Sequence, residues 1–475
     1  MRGLVVAFVG FVAFFTLVAP GWAGGPYMLV GAADDVGKQP TPAAAKLAMD
    51  EVRLAGMDAI RITQTWKPGE TALSPGESLL LDNAVQAAQT DGLRVIVSIY
   101  PYGSSVTPLT DQARGDFASY VVDIVKRYPL VRDFIIGNEP NLNRFWLPQF
   151  GPNGEDVAAP AYEQLLATTY DAIKAVRPHT TVYGGALAPR GIDRPNTGRD
   201  THSPTAFITD LGAAYRATGR ALPIMDAFAF HPYPENSSIG PDFPHPNSTA
   251  LGLADYDKLV TLLGTAFDGT AQRGTSLPIL YDEFGIETQI PPDKASLYTG
   301  TEPSTTHPVD EATQARMYEQ AMSMVFCQKT VLGLLLFHVQ DEKSLAAWQS
   351  GEFYADGTPK ASLFPVRGSA AGVHRGIAAT CPGMQLTPKL TLVPGNATAR
   401  AFPVTITCSL DCAFTVRLDG GGTLKGTATG SAPKTVLFHG SLSAGRHTLT
   451  GTASAVMNTG PPGTARVTFT LTQRS

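Results

Sequence analysis

The sequence predicts an α/β protein in which a (β/α)8 TIM barrel is followed by a small, Ig-like β-sandwich. From about residue 26 to residue 380, apolar runs typical of buried strands alternate with amphipathic stretches. Eight such runs fit a TIM barrel, whose usual size is ~250 residues before insertions. After Cys381 the chain becomes rich in Thr, Gly, Ala and Val, in short alternating runs that indicate an antiparallel sandwich.

The first residues have the three parts of a secretory signal peptide. Met1-Arg2 is basic, Gly3–Val18 is almost entirely apolar, and small residues surround a cleavage point after Ala23. A membrane anchor is the alternative, but the apolar run is shorter than the ~20 residues that a spanning helix needs. We therefore expect a signal peptide over residues 1–23 and a secreted protein that has no membrane attachment after cleavage. The barrel should then cover residues 24–382 and the sandwich residues 385–475.

Composition disfavours several other classes of protein. The chain has 475 residues, of which 43% are hydrophobic and 16% charged, so it can bury a large core and should not be disordered. Its formal net charge of −5 argues against a nucleic-acid partner, since nucleic-acid-binding domains are normally basic.

Eight apolar runs are predicted as the barrel strands. In chain order they are Tyr27–Gly31, Ala59–Thr63, Arg94–Ile99, Asp133–Gly137, Thr181–Gly185, Ala227–Phe230, Ile279–Asp282 and Gly333–His338. Segments with helical spacing lie between them, at Ala43–Ala55, Leu79–Thr90, Gln112–Arg127, Tyr162–Val176, Pro204–Thr218, Ala254–Phe267 and Glu311–Lys329. A doubly wound open sheet is the alternative fold, but no Gly-rich phosphate turn follows the first strand. The long connections 141–161, 232–253 and 285–310 should form the walls of a cleft at the barrel mouth.

The C-terminal region is predicted to contain six short strands. They are Lys389–Val393, Pro403–Cys408, Ala413–Leu418, Thr435–Leu442, His447–Ala453 and Thr464–Leu471.

The four cysteines of the chain allow three pairings. We expect Cys408 to pair with Cys412, because the two bracket a short turn, and Cys327 to pair with Cys381. A zinc site is the alternative, but neither a CxxC motif nor a histidine cluster supports it.

Two of the predicted strands end in a glutamate. Phe134-Ile135-Ile136 leads into Gly137-Asn138-Glu139-Pro140, and Pro278-Ile279-Leu280-Tyr281 leads into Asp282-Glu283. The carboxyl ends of barrel strands are where TIM barrels carry out chemistry. Two carboxylates that face one cleft are what cleavage of a glycosidic bond requires.

These two segments resemble the catalytic motifs of glycoside hydrolase clan A. Gly137-Asn138-Glu139-Pro140 is similar to the acid/base signature of the clan, and Tyr281-Asp282-Glu283-Phe284-Gly285 looks like its nucleophile strand. The resemblance covers about residues 26–380, and families 5 and 39 are the most similar. It implies that Glu139 is the acid/base and Glu283 the nucleophile of a retaining mechanism, in which the two carboxyl groups stand ~5–5.5 Å apart.

The resemblance implies roles for four further residues. Asn138 would contact the sugar hydroxyl next to the anomeric carbon, unless it only caps the following turn. Arg61 is a charge inside an apolar strand, where an unpaired charge is costly, and should lie beside the nucleophile or in an ion pair elsewhere. His231 and Tyr233 would bind substrate or orient Glu283, unless His-Pro-Tyr is only a rigid turn.

Aromatic side chains near strand ends are candidates for stacking on sugar rings. They are Trp66, Tyr100, Tyr102, Trp146 and Trp348. From these we take Trp66 and Trp146 as substrate-binding residues, together with His338. Many clan members have a tryptophan after the eighth strand, whereas this chain has Phe337-His338 there.

Together these features predict a secreted, retaining glycoside hydrolase with a carbohydrate substrate. It would cleave O-glycosidic bonds, β-linked by preference, in a polysaccharide, an oligosaccharide or a glycoside, with no metal or organic cofactor. The alternatives are a non-catalytic carbohydrate-binding or adhesion protein on an inactive barrel, and a transglycosylase that uses the same two glutamates.

Overall fold

The structure, a computed structural model, describes residues 23–396, 401–440 and 442–471. The predicted signal peptide lies outside the described residues except for Ala23. Eight parallel strands close into a barrel in sequence order, with β1 paired to β8. The strands are β1 Leu29–Ala33, β2 Ala59–Trp66, β3 Arg94–Pro101, β4 Asp133–Ile136, β5 Thr181–Leu187, β6 Ala227–Phe230, β7 Ile279–Phe284 and β8 Val331–Phe337. The predicted TIM barrel is therefore confirmed.

Eight α-helices in the described part of the chain surround the barrel. They are α1 Pro42–Leu54, α2 Pro75–Thr90, α3 Asp111–Arg127, α4 Ala158–Val176, α5 Pro204–Thr218, α6 Tyr256–Phe267, α7 Glu311–Phe326 and α8 Leu363–His374. Five of them begin after a Ser, Thr or Asp whose side chain accepts a hydrogen bond from the first turn, which is the favoured N-cap arrangement. The helix α8 was not predicted, because Pro365, Gly368 and Gly372 are poor helix formers and its apolar side alone does not identify it.

Strand alternation separates the two apolar layers of the barrel. Ala59, Ile135 and Leu280 belong to a small cluster inside the barrel, whereas Ile60 and Ile136 belong to the larger core between strands and helices. Side chains two residues apart on a strand share a face. The interior face of each strand therefore leads, at its carboxyl end, into the mouth of the barrel.

The C-terminal region contains two antiparallel sheets, which confirms the predicted sandwich. Its strands are β9 Leu390–Pro394, β10 Ala401–Cys408, β11 Cys412–Leu418, β12 Gly422–Ala428, β13 Lys434–His439, β14 Gly445–Ala455 and β15 Gly463–Leu471. One sheet has the order β13-β10-β9 and the other β12-β11-β14-β15. The strand β12 was not predicted, because its sequence GTLKGTA has no alternation of apolar and polar residues.

The sandwich packs against the end of the barrel. Leu386 and Leu410 belong to the same core as Val373 of α8. Arg375 donates two hydrogen bonds to the carboxylate of Asp411, at 2.9 and 2.6 Å. The proposed boundary between barrel and sandwich, near residues 382–385, therefore lies in a segment where the two domains pack against each other.

Both expected disulfides are formed, between Cys327 and Cys381 and between Cys408 and Cys412. The first joins the end of α7 to the connection that leads into the sandwich. Within the ranges that the structure describes, none of the helices has the length and apolar character needed to cross a bilayer.

Candidate active site

A cavity of about 610 Å³ lies at the carboxyl ends of the barrel strands. Each of the three long connections contributes to its wall, through Phe145 after β4, Ser237 after β6 and Thr306 after β7. The loop that follows β8 adds His338 and Trp348. The two glutamates singled out from the sequence, Glu139 and Glu283, both line this cavity.

Local backbone geometry directs Glu139 into the cavity. Gly137 has φ +98°, and a Cβ at this position would lie 2.8 Å from the ring of Tyr162, so that only glycine fits. Glu139 itself has φ +42°, which is unusual for a residue other than glycine. Its amide donates a hydrogen bond of 2.7 Å to the carbonyl of Ala186 on β5, which holds this turn in place. Such backbone strain is found preferentially at functional sites.

A register irregularity in β7 brings two consecutive acidic side chains to one point. The pairing with β8 shifts between Tyr281 and Phe284, and a shift of this kind interrupts the alternation of side chains. Asp282 and Glu283 consequently both contact Arg61, with N–O distances of 3.3 and 2.5 Å. The Asp282 side chain is fully buried, whereas that of Glu283 is 11% exposed, towards the cavity.

Glu139 and Glu283 approach each other across the barrel mouth. The Nδ1 atom of His231, directly after β6, lies 3.0 Å from Glu139 Oε1 and 3.4 Å from Glu283 Oε2. One oxygen from each glutamate and this histidine all lie within 4.8 Å of one another. The hydroxyl of Tyr233 donates a hydrogen bond of 3.0 Å to Glu283 Oε2.

Arg61 links the two sides of the site. It follows Ala59 by two positions on β2 and so points into the barrel. One of its nitrogens donates to Asn138 Oδ1 at 2.9 Å and to Ser98 Oγ at 3.1 Å, while another contacts Glu283. Since the amide oxygen of Asn138 is directed at Arg61, its NH2 group is the part left to donate towards the cavity.

The charges of this cluster stabilise one another. Burial opposes a charge on His231, but the carboxylates of Glu283 and Asp282 outweigh it and raise the His231 pKa to about 10. Burial likewise disfavours the ionised form of Asp282, yet His231 and Arg61 hold its pKa below the usual value. The pKa of Arg61 rises, because the attraction of Glu283 and Asp282 exceeds the effect of burial. At neutral pH, His231 and Arg61 are both cations.

Glu139, His231 and Glu283 are also close enough together to be considered as metal ligands. Both oxygens of Glu283 are already bonded, to Arg61 and Tyr233. A metal also requires the neutral form of His231, which its raised pKa disfavours. These contacts fit a hydrogen-bonded acidic pair better than a metal centre.

The structure corrects the assignment of Trp66 and Trp146 as sugar-binding residues. Trp66 is 0% and Trp146 1% exposed. Trp66 packs edge-on against Phe117 and donates to the carbonyl of Glu70, and Trp146 packs against Tyr162. Because both rings are enclosed in the core, neither can stack on a sugar.

The aromatic wall of the cavity comes from elsewhere. Trp348, in the loop after β8, lies with its ring centroid 4.9 Å from that of Tyr233 and 5.3 Å from that of Phe337. Tyr100 lines the cavity at the end of β3. His338 also reaches the cavity, with Nδ1 3.6 Å from Asp34, whose charge raises the His338 pKa against the effect of burial.

Sequence reasoning missed two contributors to the site. Asp282 was treated only as part of the motif around Glu283, although it bonds both His231 and Arg61. Asp34 lines the cavity directly after β1. A carboxylate at or near the carboxyl end of an apolar strand was the signal that identified the glutamates, and Asp34 has the same position at the end of β1.

Comparison with solved structures supports the fold. The chain resembles a family 39 glycoside hydrolase from the gut symbiont Bacteroides cellulosilyticus WH2, with a TM-score of 0.52 and 15% identity over 88% of this chain and 81% of that one. It also resembles a glucosidase from Croceicoccus marinus, with a TM-score of 0.51 and 12% identity over 87% of this chain and 94% of that one.

Both neighbours are glycoside hydrolases, and the eight-stranded parallel barrel is the architecture expected of clan A. The resemblance drawn from the sequence is thus confirmed at the level of fold. No family model matches the chain, and no curated protein matches it.

Proposed function

We propose that this protein is a retaining glycoside hydrolase in which Glu283 is the nucleophile and Glu139 the acid/base. The observation that carries the proposal is the approach of the two carboxylates to within 4.8 Å at the barrel mouth. Retaining enzymes keep the two carboxyl groups ~5–5.5 Å apart, whereas inverting enzymes leave room for a water between them. A non-catalytic sugar-binding protein would not need two carboxylates this close together.

The contacts of each glutamate fit its proposed role. Arg61 and Tyr233 donate to the two oxygens of Glu283, which favours the ionised form that attacks the anomeric carbon. Glu139 accepts from His231 through Oε1 and can carry a proton on its other oxygen.

The net charge of the cluster supports the same roles for the two glutamates. His231 and Arg61 are two cations, and Asp282 and Glu283 are two carboxylates. With a proton on Glu139 the cluster is therefore neutral, which lowers the cost of burying it. Once Glu139 has given its proton to the leaving oxygen, it becomes the base that activates water in the second step.

The substrate proposed is a carbohydrate with an O-glycosidic bond, β-linked by preference. Asn138 would donate to the hydroxyl next to the anomeric carbon, and such a bond strengthens in the transition state. Trp348 is the ring best placed to cover the apolar face of the sugar, because it lines the cavity beside Tyr233.

The remaining expectations are part of the same proposal. Export by an N-terminal signal peptide is consistent with the two disulfides, which persist in oxidising compartments. The sandwich, proposed to span residues 385–475, is then an accessory module that packs on the barrel.

A panel of aryl glycosides tests the proposal. We expect the parent protein to release the aryl alcohol from at least one glycoside, and proton NMR of the first product to show the anomeric configuration of the substrate. An inverted product would contradict the retaining mechanism. If added sugar acceptors divert most of the product away from water, the protein is a transglycosylase that uses the same pair.

A further inference from the structure

Two arginines face the cavity on the side of the proposed acid/base. Arg190 follows β5, and Arg144 lies in the loop after β4. Neither guanidinium forms an ion pair with a carboxylate in the part of the chain that the structure describes. Arg61, by contrast, is held by two carboxylates in the same cavity.

Arg190 is a half-buried cation that no carboxylate of the described residues contacts directly. Its hydrogen bond within the described ranges runs to the carbonyl of Tyr233, at 3.2 Å. Burial lowers the Arg190 pKa, although the charges of Glu235 and Glu139 oppose the effect. Glu235 is itself bonded to His245. Donors of Arg190 thus remain available to a ligand in the cavity.

Arg144 lies at the rim of the same side. Its guanidinium is 5.4 Å from the ring centroid of Phe145, which in turn packs edge-on against Tyr100. Stacking on a ring holds the planar group in position and leaves its N–H edge free to bind.

The opposite side of the cavity has three carboxylates and one histidine. Asp34 and Asp35 follow β1 and Glu342 follows β8, while His338 lies 3.6 Å from Asp34 and 3.9 Å from Glu342. In the closed barrel β1 and β8 lie across from β4 and β5. An anionic group on the substrate would be repelled on the acidic side and attracted on the side of the two arginines.

We propose that Arg190, together with Arg144, binds an oxyanion on the leaving-group side of the substrate. The proposal rests on the function proposed above, because Glu139, the acid/base, defines which side the leaving group occupies. The oxyanion is a carboxylate or a sulfate ester, since the arginine fork matches both and can bind either with two parallel hydrogen bonds. The substrate would then be an acidic glycan or glycoside.

Binding measurements test this without depending on turnover. We would use calorimetry with the Glu283→Gln protein and β-linked disaccharides that share one non-reducing sugar. Their reducing-end unit would be a neutral hexose, the corresponding uronic acid or the 6-sulfated hexose. We expect one acidic ligand to bind roughly tenfold more tightly than the neutral one, the size of effect that a charged hydrogen bond gives. The two acidic ligands distinguish carboxylate from sulfate.

Substitutions then test whether the two arginines cause the tighter binding of the acidic ligand. Arg190→Gln, added to Glu283→Gln, should remove most of the preference, Arg190→Lys should keep part of it, and Arg144→Gln should reduce it less. Arg199→Gln is the matched control, because Arg199 is exposed in the same connection but does not line the cavity. Circular dichroism would confirm that each variant is folded.

The outcomes separate the two proposals. Equal binding of acidic and neutral ligands, or a preference that survives Arg190→Gln, would overturn the oxyanion site. Hydrolysis of a neutral disaccharide by the parent would, in that case, leave the glycosidase proposal standing. If the parent hydrolyses neither these ligands nor any aryl glycoside of the panel, but Arg190→Gln removes the acidic preference, Arg190 is an anion-binding residue and the glycosidase proposal fails.

Discussion

Two of the buried charge clusters in the described residues offer a comparison, because one opens onto the cavity and the other does not. At the barrel mouth, Arg61 and His231 are grouped with Asp282, Glu283 and Glu139. In the connection between β8 and α8, the Nζ atom of Lys360 lies 2.8 Å from Oδ1 of Asp341, and both side chains are 0% exposed. We call these the mouth cluster and the closed cluster.

The closed cluster satisfies its own groups. The Lys360 ammonium donates to Asp341, to the hydroxyl of Thr288 at 2.7 Å and to the carbonyl of Gln349 at 3.0 Å, which uses its three protons. Asp341 also accepts from the hydroxyl of Tyr298, at 2.7 Å. Lys360 and Asp341 are thus fully bonded within the protein and stabilise the loops that carry them. The neighbouring Glu352 side chain is 0% exposed and therefore also out of reach of a ligand.

The mouth cluster differs in that its outer members are accessible. The Glu139 and Glu283 side chains are 14% and 11% exposed, whereas His231 and Asp282 behind them are 0% exposed. The comparison teaches that burial of charge alone does not indicate function. A functional cluster presents reactive atoms to a cavity and keeps the groups that set their charge behind them.

The largest expected difference is between Glu283 of the mouth cluster and Glu352, which lies beside the closed cluster. Glu283→Gln should lower kcat/KM by more than about 1000-fold, because the nucleophile is lost. Glu352→Gln, the same change beside the closed cluster, should leave kcat/KM within about twofold. The measurement is steady-state hydrolysis of an aryl glycoside by variants that circular dichroism shows to be folded. Equal losses of kcat/KM in the two variants would contradict a functional difference between the mouth cluster and the closed cluster.

The next largest difference should be between the cations of the two clusters, Arg61 and Lys360. Arg61→Met leaves His231 as the one cation beside the buried Asp282 and Glu283, and Lys360→Met leaves the buried Asp341 without its cation. Each change should therefore reduce the free energy of unfolding, by about 3–5 kcal/mol. Only Arg61→Met should also reduce the activity of the folded protein, by roughly 100-fold, because Glu283 loses its position. Denaturant titration and active-fraction kinetics separate the two effects. A Lys360→Met protein that is folded but inactive would contradict the structural role of Lys360.

Two tyrosines offer a finer comparison. Tyr233→Phe removes the hydrogen bond to Glu283 and should lower kcat/KM roughly tenfold, which is the effect of losing one hydrogen bond to a charged group. Tyr298→Phe removes the bond to Asp341 and should reduce stability by about 1–3 kcal/mol while kcat/KM stays unchanged. Kinetics and thermal unfolding of both variants check this. A larger loss of kcat/KM in Tyr298→Phe than in Tyr233→Phe would contradict this prediction.

The smallest expected effect is a pH dependence of stability at Glu352. This side chain is 0% exposed, and burial raises its pKa well above the usual value. Because the folded pKa is the higher one, the neutral form contributes stability that is complete below the unfolded pKa of about 4.3 and declines as the pH rises. Glu352→Gln should therefore gain in melting temperature relative to the parent between pH 5 and pH 8. A difference in melting temperature that does not change with pH would show that Glu352 is already ionised in the fold.

The sequence predicted the barrel because its strands are buried on both faces and read as uninterrupted apolar runs. Glu139 and Glu283 were identified because each lies within three residues of the end of such a run. Trp66 also lies at a strand end, but whether it faces the cavity or the core depends on Phe117, 51 positions away in the chain. The strand β12 and the helix α8 escaped notice because glycine-rich segments form these elements only when tertiary packing supports them.

The rescue of two inactive variants by azide tests the central claim most directly. In a retaining enzyme, Glu139→Ala still forms the glycosyl–enzyme from a good leaving group, and azide then attacks from the face that water would use. Glu283→Ala leaves a space in which azide replaces the nucleophile itself. We predict a β-glycosyl azide from Glu139→Ala and an α-glycosyl azide from Glu283→Ala when the substrate is a β-glycoside. The same anomer from both variants, or hydrolysis undiminished in either, would contradict the assignment of these two glutamates.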